Sequence, residues 1–289
     1  MSDNAAVKKI AVIGSGAMGR QIGMAAAVAG YDAVVQDIST DAVDAAEHDM
    51  KTWAAGRVSK GRMSQQEVDA ALGRIRFTTD QADAVGDADL VIEAATERLD
   101  IKRQVFAQID ELAPAHAILA TNSSTYGSSA VADATTRPEK VCNMHFFNPA
   151  LVMKAVEVVR NPETSDDTVA RIVAVIEKMG KHPVVLNKEI PGFIANRLMG
   201  AVRAEALDLL EQDVASIEDI DTAAKSALGY PMGPFELMDL VGLDVTYLIR
   251  KATFEVTGDE SEAPHPLLVE KYEAGEFGRK SGQGWYSYD

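Results

Sequence analysis

The sequence predicts an α/β domain with a mostly parallel sheet, followed by an all-helical C-terminal domain. Up to residue 188, short and continuously apolar strands alternate with stretches of helix-forming residues. This alternation is typical of a parallel sheet that is covered by helices on both faces. After residue 188, apolar residues recur at helical spacing instead. We therefore expect one domain at residues 1–188 and a second at residues 189–289.

The first domain is predicted element by element from apolar runs and the glycines and polar residues between them. A β-branched run at 7–13 ends at Gly14, where helix-forming residues begin. Further strands are predicted at 33–37, 89–93, 117–121, 140–146, 154–159 and 183–186. Helices are predicted at 17–30, 40–60, 98–112 and 166–179.

The second domain begins after the Pro191-Gly192 pair, which interrupts the chain. Apolar spacing predicts a helix over 193–212, and Ser216 is placed to cap a further helix over Ile217–Leu228. Residues 234–256 form another apolar helical stretch, interrupted near Gly242. A strand is expected only at the C-terminus, over 284–288.

The composition limits the class of protein. Asp and Glu outnumber Lys and Arg by 44 to 28 over 289 residues, giving a formal net charge of −16. Because a field of that sign repels phosphate backbones, we expect no nucleic-acid partner. The single cysteine, Cys142, excludes an intrachain disulfide and a cysteine-based metal site, and we expect no metal. No run approaches the ~20 apolar residues of a membrane span, so we expect no membrane association and a cytoplasmic location.

The first turn carries the glycine pattern of a dinucleotide site. Gly14, Gly16 and Gly19 form G-x-G-x-x-G, with Ala17 and Met18 between the last two. Gly14 permits a tight turn, Gly16 lets backbone N–H groups approach a pyrophosphate, and Gly19 allows close packing of helix on strand. The N-terminus of the following helix adds partial positive charge. The pattern predicts a Rossmann-type domain.

Asp37 indicates which dinucleotide binds. It ends the second strand, where its carboxylate can accept hydrogen bonds from both ribose hydroxyls and repel a 2′-phosphate. The next residues, Ile38-Ser39-Thr40, contain no arginine that could reverse this preference. We therefore predict NAD rather than NADP. The alternative is an ordinary strand–helix turn with a solvated or capping Asp37.

Three later strand ends carry polar residues suited to chemistry. Glu97, Ser124 and His145 each lie at or just after a predicted strand. Because ligands of parallel sheets bind at the carboxyl ends of the strands, we expect these residues to lie close together. Taken singly, each has a structural interpretation, since a serine after a strand often forms a turn and a histidine among apolar residues often lies in the core.

Six segments along the chain, GSGAMG, EAATE, NSS, HFFNP, PGFIANR and GYPMGPFELMDLVGLD, carry a resemblance to a known family. The sequence resembles the L-3-hydroxyacyl-CoA dehydrogenases, including the short bacterial 3-hydroxybutyryl-CoA form, from Ile10 to the C-terminus. The resemblance implies reversible, NAD-dependent oxidation of a (S)-3-hydroxyacyl-CoA to a 3-ketoacyl-CoA. It also implies a Rossmann domain with a helical dimerisation domain, a short-chain acyl-CoA substrate and a role in fatty acid metabolism.

The resemblance also implies four catalytic residues. It places the catalytic histidine at His145, its carboxylate partner at Glu97, the active-site serine at Ser124 and an asparagine at Asn196. Hydride leaves C3 only as the hydroxyl proton departs, and a neutral imidazole is a suitable base near neutral pH. Glu97 is then expected to fix the tautomer of His145, while Ser124 and Asn196 hold the C3 oxygen.

Contacts to the cofactor and to CoA follow from the same resemblance. The implied NAD contacts are the glycine turn and Asp37 together with Glu97, Lys102, Ser124, Asn148 and Lys280. The implied substrate contacts are Ser124, Asn196, Lys60 and the position of Trp53, where the family has a serine. Lys60 lies in the basic segment 51–62, which contains no acidic residue and could meet a CoA phosphate. The alternative is a solvated helix face.

Two departures from the family pattern leave other functions open. The family's usual NTSS stretch begins at Asn122 but reads NSST here, and Tyr126 stands where a leucine is usual. A dehydrogenase of the same architecture that acts on a free hydroxy acid, such as L-gulonate, is therefore the first alternative. A non-catalytic NAD-binding protein is the second. The apolar residues within 193–210 and 235–248 exceed what a small helical domain can bury, which predicts a homodimer.

Overall fold

A computed structural model describes residues 6–288 of the chain. The chain forms two units, which are Met1–Phe193 and Ile194–Asp289. The predicted fold class is confirmed, because a mostly parallel sheet with helices precedes an all-helical second unit. Within residues 6–288, no helix combines the length and the apolar character needed to cross a bilayer.

The first unit contains one eight-stranded sheet. Its strands are β1 (Lys9–Ile13), β2 (Asp32–Gln36), β3 (Ile75–Thr78), β4 (Leu90–Glu93), β5 (Ile118–Thr121), β6 (Val141–Phe146), β7 (Ala155–Arg160) and β8 (His182–Leu186). They lie in the order β3-β2-β1-β4-β5-β6-β7-β8. Every neighbouring pair is parallel except β6 and β7, which run antiparallel.

Helices cover both faces of this sheet. They are α1 (Ala17–Val28), α2 (Thr40–Ser59), α3 (Gln65–Leu72), α4 (Gln81–Val85), α5 (Leu99–Leu112), α6 (Ser129–Ala132) and α7 (Asp166–Lys178). The side chains of β1 alternate between two cores, with Ile10 and Val12 in one and Ala11 and Ile13 in the other. Because successive side chains of a strand point to opposite faces, these two clusters lie on opposite sides of the sheet.

The second unit consists of α8 (Ala195–Glu211), α9 (Ile217–Leu228), α10 (Pro234–Val241), α11 (Leu243–Thr257) and α12 (Pro266–Glu273). The predicted interruption at Gly242 separates α10 from α11, and Gly242 has φ +105°, a conformation that favours glycine. The predicted strand over 284–288 is wrong. The backbone N–H groups of Trp285 and Tyr286 donate to the buried Asp239 carboxylate, both at 2.9 Å. These two groups therefore bond to a side chain and not to the backbone of a neighbouring strand.

Two differences concern boundaries and short elements. The sequence places the domain boundary near residue 188, whereas the structural units divide after Phe193, which packs against Val159 and Leu186 of the first unit. The sequence also does not predict β3, which has only four residues and includes the exposed Arg76. Such a short, half-polar edge strand carries little periodic signal.

Candidate active site

The glycine turn after β1 has two glycines that leave no room for a Cβ and one that faces open space. Gly14 has φ +99°, and a Cβ there would lie 2.6 Å from Ala95 Cα. A Cβ on Gly19 would lie 1.8 Å from the carbonyl oxygen of Gly14. Gly16, the N-cap of α1, would place its Cβ in open space. The turn is therefore packed tightly on its inner side and open at Gly16, where a pyrophosphate can approach the helix N-terminus.

Asp37 follows β2 and is tied to this turn. Its Oδ2 accepts hydrogen bonds from the backbone N–H of Ser15 at 2.8 Å and from the Ser15 hydroxyl at 2.9 Å. Ser15 is the first variable position of the glycine pattern, and the sequence alone does not indicate this contact. Asp37 thus has a structural role in holding the turn, and its half-buried carboxylate lies beside the dinucleotide site.

The carboxyl ends of β1, β4, β5 and β6 meet at one edge of the sheet, because these four strands are parallel neighbours. The chain leaves β1 toward β2 and β3 on one side and returns to β4 on the other. Such a switch point is where open parallel sheets bind their ligands. Polar residues follow each of the strands β4, β5 and β6, so they belong to this edge.

A buried ion pair lies at the ends of β4 and β5. Lys102 Nζ lies 2.8 Å from Glu93 Oε2, and the two residues are 2% and 0% exposed. The Glu93 carboxylate also accepts from the Thr121 hydroxyl and from Ala95 N, at 2.8 and 2.9 Å. Because a buried charge must be paired, Lys102 is the counter-ion of Glu93. The direct contact of Lys102 with the cofactor stays a prediction.

Glu97 joins the loop that follows β5. Its Oε2 accepts a hydrogen bond from the Ser123 hydroxyl at 2.7 Å and lies 3.6 Å from Lys102 Nζ. The Ser123 oxygen in turn accepts from the backbone N–H groups of Thr125 and Tyr126. Within residues 6–288, no hydrogen bond involves the neighbouring Ser124 hydroxyl, and its role toward a substrate stays a prediction. Ser123 holds the loop, and Ser124 is the serine that the loop presents.

His145 is paired with Glu157 and not with Glu97. His145 Nδ1 lies 2.8 Å from Glu157 Oε2, and both side chains are buried, at 5% and 1% exposure. The two residues are direct partners in the register of β6 and β7. Within the described part of the chain, no hydrogen bond or ion pair joins Glu97 to His145. The expected partner is thus corrected, because an antiparallel β7 places Glu157 opposite the histidine.

The contact with Glu157 determines which ring nitrogen can act as a base. An ionised carboxylate only accepts, so Nδ1 carries the hydrogen and Nε2 keeps its lone pair. The ring lies between Phe147 and Phe193, with centroid distances of 4.6 and 5.6 Å. The arrangement places a buried carboxylate at Nδ1 of a buried imidazole, and the role of His145 as a base stays a prediction.

The remaining predicted contacts lie elsewhere in the two units. In the first unit, Asn148 is exposed just after β6, Lys60 is exposed at the C-cap of α2, and Trp53 is half-buried against the core. In the second unit, Asn196 lies in the first turn of α8, and Lys280 Nζ lies 2.5 Å from Asp244 Oδ2. Their roles toward ligands stay predictions.

Several residues of the site are not identified from the sequence. Glu157 is the chief example, although it is the only charged residue within AVEVV, a stretch predicted as a strand. A carboxylate among β-branched residues indicates a buried group that needs a partner. Which residue is that partner can be read only from the strand register. Asn143 is another, since its buried side chain contacts the loop that carries Ser124.

Comparisons with known proteins identify the family of the chain. A family model described as the NAD binding domain of 3-hydroxyacyl-CoA dehydrogenase matches residues 9–190, and the model of its C-terminal domain matches residues 192–288. Human mitochondrial hydroxyacyl-coenzyme A dehydrogenase is 40% identical over 288 residues, covering 98% of this chain and 91% of that protein. A probable 3-hydroxybutyryl-CoA dehydrogenase of Bacillus subtilis is 38% identical over 98% of both chains.

A solved structure gives the same result. The (S)-3-hydroxybutyryl-CoA dehydrogenase of Ralstonia eutropha superposes with a TM-score of 0.90 and 35% identity, covering 98% of this chain and all of that one. The glycine turn with Asp37 fits NAD, and both family domains are present in the expected order. The chain belongs to the 3-hydroxyacyl-CoA dehydrogenase family, and it is an NAD-dependent dehydrogenase of that family.

Proposed function

We propose that the protein oxidises short-chain (S)-3-hydroxyacyl-CoA esters, such as 3-hydroxybutyryl-CoA, to 3-ketoacyl-CoA, with His145 and Glu157 as its base. The observation that carries this proposal is the 2.8 Å contact of His145 Nδ1 with Glu157, which leaves Nε2 as the free acceptor. The names of the Bacillus and Ralstonia relatives support the substrate class.

The chemistry divides between the cofactor and the protein. NAD, when bound, accepts the hydride from C3 of the substrate. His145 Nε2 accepts the hydroxyl proton, and the Glu157 carboxylate stabilises the imidazolium that results. The Ser124 hydroxyl is proposed to donate a hydrogen bond to the C3 oxygen and hold it in line. The substrate contact that the resemblance implies for Asn196 stays a prediction. In the reverse direction His145 returns the proton to the alkoxide.

Glu97 has a different role in this proposal. Its carboxylate is exposed and holds the Ser123 hydroxyl, at the switch-point edge of the sheet. We assign it to the cofactor side of the site, together with Lys102 behind it and Asn148. The CoA part is proposed to meet the basic segment 51–62, where Lys60 and Arg62 are exposed and make no ion pair within the described residues.

Turnover of defined substrates tests the substrate class. We expect consumption of NADH with acetoacetyl-CoA and a marked preference for it over free acetoacetate. In the oxidising direction we expect reduction of NAD with 3-hydroxybutyryl-CoA and a marked preference for it over L-gulonate, because the free acids lack the CoA group. NADPH is expected to be a poor donor, since Asp37 repels a 2′-phosphate. A series of 3-ketoacyl-CoA chain lengths, followed by NADH absorbance, measures the depth of the acyl pocket.

The alternatives give different results in the same assay. Equal turnover with and without the CoA group would favour a dehydrogenase of free hydroxy acids. No NADH loss at high enzyme concentration would favour a non-catalytic NAD-binding protein. A preference for NADPH would contradict the role given to Asp37.

The second unit is proposed to form a homodimer. Three apolar side chains at helical spacing on α11, Val245, Leu248 and Ile249, are 38%, 50% and 61% exposed. An exposed apolar stripe of this kind is typical of a subunit interface.

We place the enzyme in the cytoplasm, where the buried Cys142 thiol stays reduced. Burial raises the pKa of this thiol to about 12.

Sedimentation tests the dimer. The wild-type protein is expected to sediment as a dimer at micromolar concentration, and Ile249→Lys is expected to shift it toward the monomer, because a charge would replace buried apolar surface. Val152→Lys in the first unit, at a side chain 63% exposed, is the matched control and should remain dimeric. A monomeric wild-type protein would remove this part of the proposal.

A further inference from the structure

The loop between β5 and α6, residues 122–128, presents the Ser124 hydroxyl. We call it the serine loop. Ser123, within the loop, bonds two of the loop's own N–H groups and Glu97. Asn122 Oδ1 accepts from the backbone N–H of Phe146 on β6 at 2.9 Å. These contacts are made by side chains of the loop itself.

Asn143, on β6, is a side chain outside the serine loop that bonds three of the loop's backbone groups. Its Oδ1 accepts from the backbone N–H of Ser128 at 2.6 Å. Its Nδ2 donates to the carbonyl oxygens of Ser123 at 3.2 Å and Tyr126 at 3.0 Å. Asn143 is fully buried, so all three bonds are shielded from water. One amide thus connects the beginning, middle and end of the loop.

The position of Asn143 on the strand relates this brace to the base. Residues two apart on a strand point to the same face, so Asn143 and His145 lie on one side of β6. The strand that carries the base therefore also carries the group that fixes the loop with Ser124. In the proposed reaction His145 and Ser124 must contact the same oxygen, and their separation is set through β6.

We propose that Asn143 is a positioning residue that holds Ser124 at the correct distance from His145. The proposal rests on the proposed function of Ser124 as the donor to the C3 oxygen. Without the Asn143 amide, one N–H and two carbonyl groups of the loop lose their buried partner. The loop can then satisfy them only by moving or by admitting water. A displacement of about 1 Å is enough to reduce turnover by up to about 100-fold.

A double-mutant cycle between Asn143 and Ser124 tests the proposal. Asn143→Ala is expected to lower kcat with acetoacetyl-CoA by about 10- to 100-fold, with a smaller change in the KM for NADH. Combined with Ser124→Ala, it is expected to lower kcat no further than Ser124→Ala does alone, because a brace that acts through Ser124 has no effect without it. A general loss of structure would not give this non-additivity.

Asn161→Ala is the matched control. Asn161 is also a buried asparagine, and its Nδ2 donates to Val141 O and to the hydroxyl of Ser128, the last residue of the serine loop. Within the described residues, no hydrogen bond joins it to residues 122–126, which include Ser124. We expect this variant to lose comparable thermal stability and to keep wild-type kcat. If Asn143→Ala does not fold, Asn143→Ser, which retains one polar group, replaces it in the same cycle.

The outcomes separate this inference from the proposed function. Multiplicative losses in the double variant, or wild-type kcat in a folded Asn143 variant, would overturn the role of Asn143. A Ser124→Ala variant with full activity would instead remove the proposed role of Ser124. If the wild-type enzyme does not turn over acyl-CoA substrates, the proposed function is contradicted. The activity of the wild-type enzyme is therefore measured before that of the variants.

Discussion

Replacing His145 by alanine is expected to lower kcat for 3-hydroxybutyryl-CoA by about 10²–10⁴-fold, or about 3–5 kcal/mol of transition-state stabilisation. The reason is that Nε2 of this buried ring is the proposed acceptor of the hydroxyl proton. Alanine also removes the imidazole that lies against the buried Glu157 carboxylate, which destabilises the fold. His145→Asn is the better variant, since its amide can still donate to Glu157 but cannot act as a base. Steady-state rates at saturating NAD, together with thermal unfolding, measure both effects.

His116 provides the matched control for this experiment. Its Nε2 lies 2.8 Å from Asp89 Oδ1, so it is also a histidine paired with a carboxylate. Both residues precede the amino ends of β4 and β5, at the edge opposite the proposed site. His116→Ala is expected to keep kcat near the wild-type value. Comparable losses in the two variants would indicate a general effect of structure, and full activity of His145→Asn would contradict the assignment of the base.

Glu157→Gln is expected to lower kcat by about 100-fold or more, with little change in the KM for NAD. Glutamine has nearly the shape of glutamate but lacks the charge that stabilises the imidazolium. Its amide group can also turn its N–H toward Nδ1, which favours the tautomer whose Nε2 carries hydrogen and cannot accept a proton. Rates measured at saturating concentrations of both substrates isolate this effect from binding.

Glu97→Gln is the companion variant, and it distinguishes the structure from the expectation based on resemblance. Its carboxylate holds the Ser123 hydroxyl and not His145, so we expect mainly a higher KM for NAD and a smaller loss of kcat. If instead Glu97→Gln abolishes turnover and Glu157→Gln does not, Glu97 is the partner of the base.

Features set by neighbouring residues in the chain are predicted well from the sequence. The alternation of strands and helices, the glycine turn and the break at Gly242 are all local patterns, and each occurs at the expected place. The incorrect strand over 284–288 is not set by local sequence, because its backbone groups bond to Asp239, more than 40 residues earlier. The boundary after Phe193 likewise depends on packing against distant strands.

The same distinction applies to the site. The sequence itself indicated the nucleotide turn, and its resemblance to a family pointed to His145 and Ser124 as reacting groups. It did not identify Glu157 or Asn143, because neither residue lies in a local motif. Glu157 is 12 residues from His145, and Asn143 is 15 residues from Ser128, the nearer end of the loop that it braces.

The amino-acid sequence alone determined the α/β class and the dinucleotide turn, since these depend on short segments with defined spacing. The kind of reaction is what its resemblance to a family implied. Only the tertiary structure decided which carboxylate supports the imidazole and which amide holds the serine. The antiparallel register of β6 and β7 places Glu157 opposite His145, and the folding of the serine loop onto β6 brings it to Asn143. Strand register and loop packing are long-range properties, because they depend on which segments the sheet brings side by side.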